Sequence, residues 1–80
     1  MFYVYILRSV NFPKKIYVGY TTDIKQRIDT HNNGGSIYTA KYTPWILAWH
    51  ATFLEESAAI AFEKYLKSGA GKAFANKHFL

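Results

Sequence analysis

From Phe2 to Leu7 hydrophobic side chains occupy both sides of an extended segment: Tyr3, Tyr5 and Leu7 on one, Phe2, Val4 and Ile6 on the other. A strand apolar on both faces is covered on both, so this one is predicted to be central in a sheet. Ser9 to Lys14 breaks the pattern with Asn11 and Pro13, which suits a hairpin loop. A second strand, Lys15 to Tyr20, follows and is expected to lie antiparallel beside the first.

The period then changes from two to about three and a half. Asp23 followed by Gln26 resembles a capping box, which starts a first helix near Thr22 or Asp23. Asn32-Asn33-Gly34-Gly35 closes it after His31, because these residues tolerate positive φ. Ser36 to Pro44 reads as a polar loop dotted with Ile37, Tyr38, Lys41 and Tyr42, long enough to cross a surface and touch a ligand. Trp45 to Phe53 is predicted as a third strand, with Trp45, Leu47, Trp49 and Phe53 on one face.

Glu55-Glu56-Ser57 opens a second helix that runs to about Lys67, with Ala59, Phe62 and Leu66 as its buried stripe. Ser68-Gly69-Ala70-Gly71 breaks that helix. Lys72 to Leu80 is expected to form a short further one with Phe74 and Phe79 facing inward. The pattern as a whole gives an α/β (α+β) chain, a three-stranded antiparallel sheet flanked by helices.

Eighty residues bound this to one domain, 1–80, with one core. Half of the residues are hydrophobic and 19% are aromatic, so that core can be filled. Cysteine is absent, which removes disulfides and thiolate metal sites and fits a reducing compartment. No apolar run reaches the ~20 residues of a membrane span, and Met1-Phe2-Tyr3-Val4-Tyr5 has neither basic leader nor cleavage site, so a cytoplasmic protein without membrane attachment is expected. Ten Lys and Arg against five Asp and Glu leave a net charge of +5, which favours a polyanionic partner.

One helix face is unusual in its chemistry. Ile24 and Ile28 would point to the core, yet Arg27 and His31 share their side of the first helix. A guanidinium and an imidazole placed there, near strands that carry Tyr5 and Tyr17, suggest a site that grips an anion. The plainer alternative is a solvated helix edge with weak four-residue pairs, and for the two tyrosines simple packing. Glu63 lies on or beside the buried stripe of the second helix, and its plain reading is an ion pair with Lys67. His50 and His78 lack partners at ligand spacing and are read as structural. Gly69-Ala70-Gly71-Lys72 lacks the remaining residues of a phosphate loop, so it is read as a helix break.

Tyr3-Val4-Tyr5, Tyr17-Val18-Gly19, Arg27 with His31, and Glu63, taken in that order and spacing, resemble the GIY-YIG nuclease superfamily. The likeness is greatest to the small stand-alone bacterial GIY-YIG proteins, and extends to Lys64-Tyr65-Leu66-Lys67-Ser68-Gly69 after the glutamate. Tyr3 stands where the namesake glycine would be, and Val18 where the second isoleucine would be.

The resemblance implies a metal-dependent endonuclease that hydrolyses DNA phosphodiesters, selects DNA structure more than sequence, and serves repair or processing. RNA is the alternative substrate. It implies one divalent ion, Mg²⁺ or Mn²⁺, held by Glu63. Arg27 would neutralise phosphoryl charge, Tyr5 would act as general base with Tyr17 orienting the water or serving instead, and His31 would take or relay the proton. Gly19 would sit where backbone or substrate approaches closely. Lys15, Tyr38, Lys41, Tyr42, Lys64 and Lys67 would grip strand phosphates or stack on bases, and Asn76 could fill the superfamily's late asparagine position. The competing readings are a non-catalytic nucleic-acid-binding or accessory module of the same fold, and a folded interaction protein whose charge is incidental.

Overall fold

The computed structural model describes residues 1–78. The elements run β1 (Phe2–Ser9), β2 (Ile16–Thr21), α1 (Ile24–Asn32), α2 (Ile37–Lys41), β3 (Trp45–Phe53), α3 (Glu56–Lys67) and α4 (Gly69–His78). The three strands form one antiparallel sheet in the order β2-β1-β3. As the two-sided apolar pattern requires, β1 is central, and Val4, Tyr5, Ile6 and Leu7 have no exposed surface.

The single core expected from the length is divided by the sheet into two clusters, one on each face. On one, Val4, Ile6 and Val18 pack with Ala59 and Leu66 of α3 and Ala75 of α4, with Phe62 against them. On the other, Tyr5, Leu7 and Trp45 pack with Tyr17, Ile28 of α1 and Tyr42. Each fully buried Leu or Ile contributes about 1.5–3 kcal/mol by leaving water, so the two layers secure α3 and α1 on opposite faces. The strand β2 is left as an edge between them.

The predicted face of β3 is not continuous. Ile6 pairs with Trp49 but Leu7 pairs with Leu47, so Ala48 is an extra residue on β3. Such a bulge exchanges the two sides of a strand. Trp45 therefore packs with Tyr5 and Leu7, whereas Trp49 and Phe53 pack on the opposite core with Phe62. Leu47 is 38% exposed.

Two further expectations are corrected. The segment after Gly35 is not all loop: Ser36 accepts from the Thr39 amide at 3.2 Å and starts α2, which is too short for a periodic signal. The last helix also begins earlier than Lys72. Ser68 accepts from the Gly71 amide at 3.1 Å through its hydroxyl and from the Lys72 amide at 2.9 Å through its carbonyl, so the glycines lie inside α4. A β-carbon on Gly71 would fall 1.7 Å from the Tyr65 carbonyl oxygen, and the lack of a side chain there lets α4 fold back against α3. Ala75 is the buried residue of that helix, while Phe74 is 39% exposed and packs against Tyr65 and His78. The expectation for Phe79 lies outside the described residues.

Candidate active site

Helix α1 begins where Asp23 accepts from the Gln26 amide at 3.1 Å and ends before Gly34, whose φ of 80° is open to glycine without strain. Its phase sends Ile28 into the core and carries Arg27 and His31 beneath the sheet. His31 is 3% exposed. Its Nε2 lies 3.1 Å from the Tyr5 hydroxyl and its Nδ1 lies 3.2 Å from the Thr39 hydroxyl. The Tyr17 ring stands over the same imidazole, with centroids 4.6 Å apart, and lies 6.4 Å from the Tyr5 ring.

The proton positions follow from counting donors and acceptors. Tyr5 is wholly buried, and its hydroxyl hydrogen needs an acceptor. Arg27 can only donate, so the count favours His31 Nε2 as the acceptor, which would place the ring hydrogen on Nδ1. In that tautomer Nδ1 would donate to Thr39, whose own hydrogen has Ser36 within reach, with Oγ at 2.8 Å and the carbonyl at 3.4 Å.

Electrostatics agree with a neutral pair. Burial raises the Tyr5 phenol above its ordinary value; Arg27 beside it pulls downward, and Tyr17 and Glu63 add smaller upward pushes. Burial, helped by the Arg27 charge, lowers His31. Arg27 is raised chiefly by its contact with the Tyr5 hydroxyl. Its Nε is buried with no hydrogen-bond partner, so donor capacity remains inside the site.

Glu63 approaches from the other face of the sheet, around the β2 edge. Its side chain is 21% exposed and pairs with Lys67 at 3.3 Å, the spacing the plain reading of the sequence requires. Lys67 also lies 6.0 Å from the Tyr17 ring centroid, which links the carboxylate to the aromatic cluster. Among the described residues no three His, Cys, Asp or Glu side chains gather as metal ligands. One largely buried carboxylate suits a hydrated Mg²⁺ or Mn²⁺ ion, which retains most of its waters, and does not suit Zn²⁺.

A cleft of ≈ 440 Å³ opens on this edge, lined by Tyr17, Tyr38, Lys15, Lys67 and Asn76, together with Lys14 and Lys72. Three of the expected contact residues, Lys15, Tyr38 and Lys67, thus meet Tyr17 and Asn76, and two lysines join them that the sequence did not single out. Lys14 precedes Lys15 in the hairpin, and Lys72 lay in the segment read as a helix break. Tyr42 lies beneath Lys15, 5.4 Å from centroid to ammonium, and packs on Trp45 and Phe12. Lys41 and Lys64 are exposed and do not line the cleft. Gly19 is buried beneath Tyr5, so the close approach there comes from the phenol. Tyr20, on the α3 side of β2, donates to Glu56. Thr39 and Ser36 were missed because hydroxyls in an apparent loop carry no sequence signal for a histidine contact.

Residues 1–77 match the GIY-YIG catalytic domain family. The chain is 41% identical over 66 residues to the UPF0213 protein SpyM3_1077 of Streptococcus pyogenes serotype M3, covering 81% of this chain and 70% of that protein. It is 39% identical over 66 residues to a UPF0213 protein of Streptococcus pyogenes serotype M5, with the same coverage. The solution NMR structure of the UPF0213 protein BH0048 from Bacillus halodurans superposes with a TM-score of 0.57 at 33% identity, covering 96% of this chain and 84% of that one. With the family model matching nearly the whole chain and these relatives sharing the fold at 33% to 41% identity, the chain belongs to the GIY-YIG catalytic domain family, within the nuclease superfamily.

Proposed function

We propose that this protein is a metal-dependent endonuclease that hydrolyses DNA phosphodiesters at the β2 edge. The observation that carries this reading is the convergence of Tyr5, Tyr17, Arg27 and His31 in one contact cluster that adjoins Glu63 and opens on a lysine-lined cleft. Membership of the nuclease superfamily supports it.

In this reading Lys14, Lys15, Lys67 and Lys72 draw the phosphate backbone into the cleft. Arg27, held against the Tyr5 hydroxyl, neutralises charge that grows on the phosphoryl oxygens. Tyr17 lines the cleft and orients the attacking water. As the water is deprotonated toward Tyr5, the Tyr5 hydroxyl proton passes to His31 Nε2, so the phenol never has to persist as a phenolate. The substrate's negative charge favours the imidazolium so formed. Glu63 would hold one divalent ion, Mg²⁺ or Mn²⁺, which when bound supplies positive charge for the phosphate and the leaving oxygen.

With so small a surface, selection of DNA structure is favoured over sequence. A service in DNA repair or processing and a cytoplasmic setting complete the proposal, and no described helix is long and apolar enough to cross a membrane. The second reading, a nucleic-acid-binding module that does not cut, is favoured by one observation: Lys67 already occupies the Glu63 carboxylate.

The test is cleavage of labelled single-stranded, duplex, flap and branched DNA, and of RNA, with Mg²⁺, Mn²⁺ or EDTA, by the native chain and Glu63→Gln. Metal-dependent cutting that disappears in the variant is expected. Binding without cutting, equal in both proteins, would leave the binding module as the function.

A further inference from the structure

Helix α2 has no place in the reaction just described, yet Thr39 within it has no exposed surface and is held from three directions. Its amide donates to Ser36 Oγ at 3.2 Å, its carbonyl accepts from the Trp45 indole at 2.8 Å, and its hydroxyl contacts Ser36 Oγ at 2.8 Å and His31 Nδ1 at 3.2 Å. A helix of five residues has little stability of its own. Here the Ser36 cap and the Trp45 indole hold one hydroxyl at a fixed place beside a buried imidazole.

We infer that Thr39 is the positioning residue of the proton-transfer site: by accepting from Nδ1 it fixes His31 in the Nδ1–H tautomer and leaves Nε2 open to the Tyr5 proton. The inference rests on the nuclease reading for its consequence, but the tautomer itself does not. The Thr39 hydroxyl has one hydrogen, and Ser36 offers it two acceptors, so its lone pair is free for the imidazole. Without that hydroxyl the Nδ1 hydrogen would be buried unsatisfied, and the ring would gain by carrying its hydrogen on Nε2. Tyr5 would then face a donor in place of an acceptor. Among the described residues the other ionisable groups around the ring are Tyr5 from β1, Tyr17 from β2 and Arg27 from its own helix, whereas α2 and its cap bring the Thr39 and Ser36 hydroxyls.

The experiment is ¹⁵N NMR of the His31 ring in the native full chain, Thr39→Val and Thr39→Ser, with the resonance assigned by its loss in His31→Gln. The native protein and Thr39→Ser should show Nδ1–H, and Thr39→Val should lose that preference. Cleavage by Thr39→Val should fall about 10- to 100-fold in kcat with KM little changed, by analogy with metal-bound histidines that lose the partner of their second nitrogen. Its pH profile should be altered as well, and Thr39→Ser should restore both.

An Nε2–H ring in the native chain overturns the inference even if Thr39→Val fails to fold, and so does an unchanged Nδ1–H ring in a folded Thr39→Val. A native chain that shows the expected tautomers but cuts no nucleic acid would overturn the nuclease reading alone.

Discussion

A β-carbon built on Gly19 would lie 2.3 Å from the hydroxyl oxygen of Tyr5, its cross-strand partner on β1. The absent side chain makes the bed on which the phenol rests, and the phenol is thereby aimed at His31. Gly19→Ala should therefore force Tyr5 out of its position, although the alanine backbone is unstrained there. Because Tyr5 is enclosed on every side, we expect a loss of about 1–3 kcal/mol in chemical denaturation. Cleavage should fall with it, even under conditions where the variant is fully folded. A variant as stable and active as the native chain would refute this account of Gly19.

Two glycines only two residues apart should respond in opposite directions. Gly71→Ala drives a methyl into the Tyr65 carbonyl, a backbone atom that cannot rotate away, so it should separate α4 from α3 and lower the melting temperature. A β-carbon on Gly69 meets nothing within 4 Å, and its φ is not positive. Gly69→Ala should stabilise by about 0.4–1 kcal/mol through the unfolded chain. Thermal melts of the two variants measure both effects.

Arg27→Lys keeps a positive charge but loses the planar donor fork. The guanidinium touches Tyr5 and has further N–H groups in its fixed fork, a geometry a single ammonium does not reproduce. We expect cleavage to drop about 10²- to 10³-fold, the range for removal of one transition-state donor, with binding of uncut DNA weakened far less. Comparable activity in Arg27→Lys would mean that charge alone is needed.

The imidazole of His31 must be neutral to receive a proton, and burial lowers its pKa below the ordinary value of 6.5. The acid limb of the cleavage profile should accordingly fall below 6.5, with activity rising as pH increases through the folded value. Stability follows the same sign. The unfolded chain takes up this proton first on acidification, so the His31 contribution is complete above about 6.5 and is lost as pH falls through the folded value. His31→Gln should flatten that part of the stability curve, which denaturation at several pH values will reveal.

Alternation and helical period are local properties, and they determined what depends on them: a central β1, the hairpin to β2, a helix between Asp23 and Gly34, and the buried stripe of α3. The order and spacing of Tyr5, Tyr17, Arg27, His31 and Glu63 were likewise legible, because each lies on a long element whose phase can be read. The tertiary structure decided the rest. Ala48 looks like any strand residue, yet pairing with β1 makes it a bulge that sends Trp45 and Trp49 to opposite cores. Thr39 looks like a loop residue, and only the closure of α2 against Trp45 brings its hydroxyl to His31. Burial belongs to this second kind: whether Tyr5 meets water or an imidazole depends on segments distant in the chain packing over one sheet face. Hydrogen bonding and desolvation act through space, so the protonation state of the site was decided by the fold.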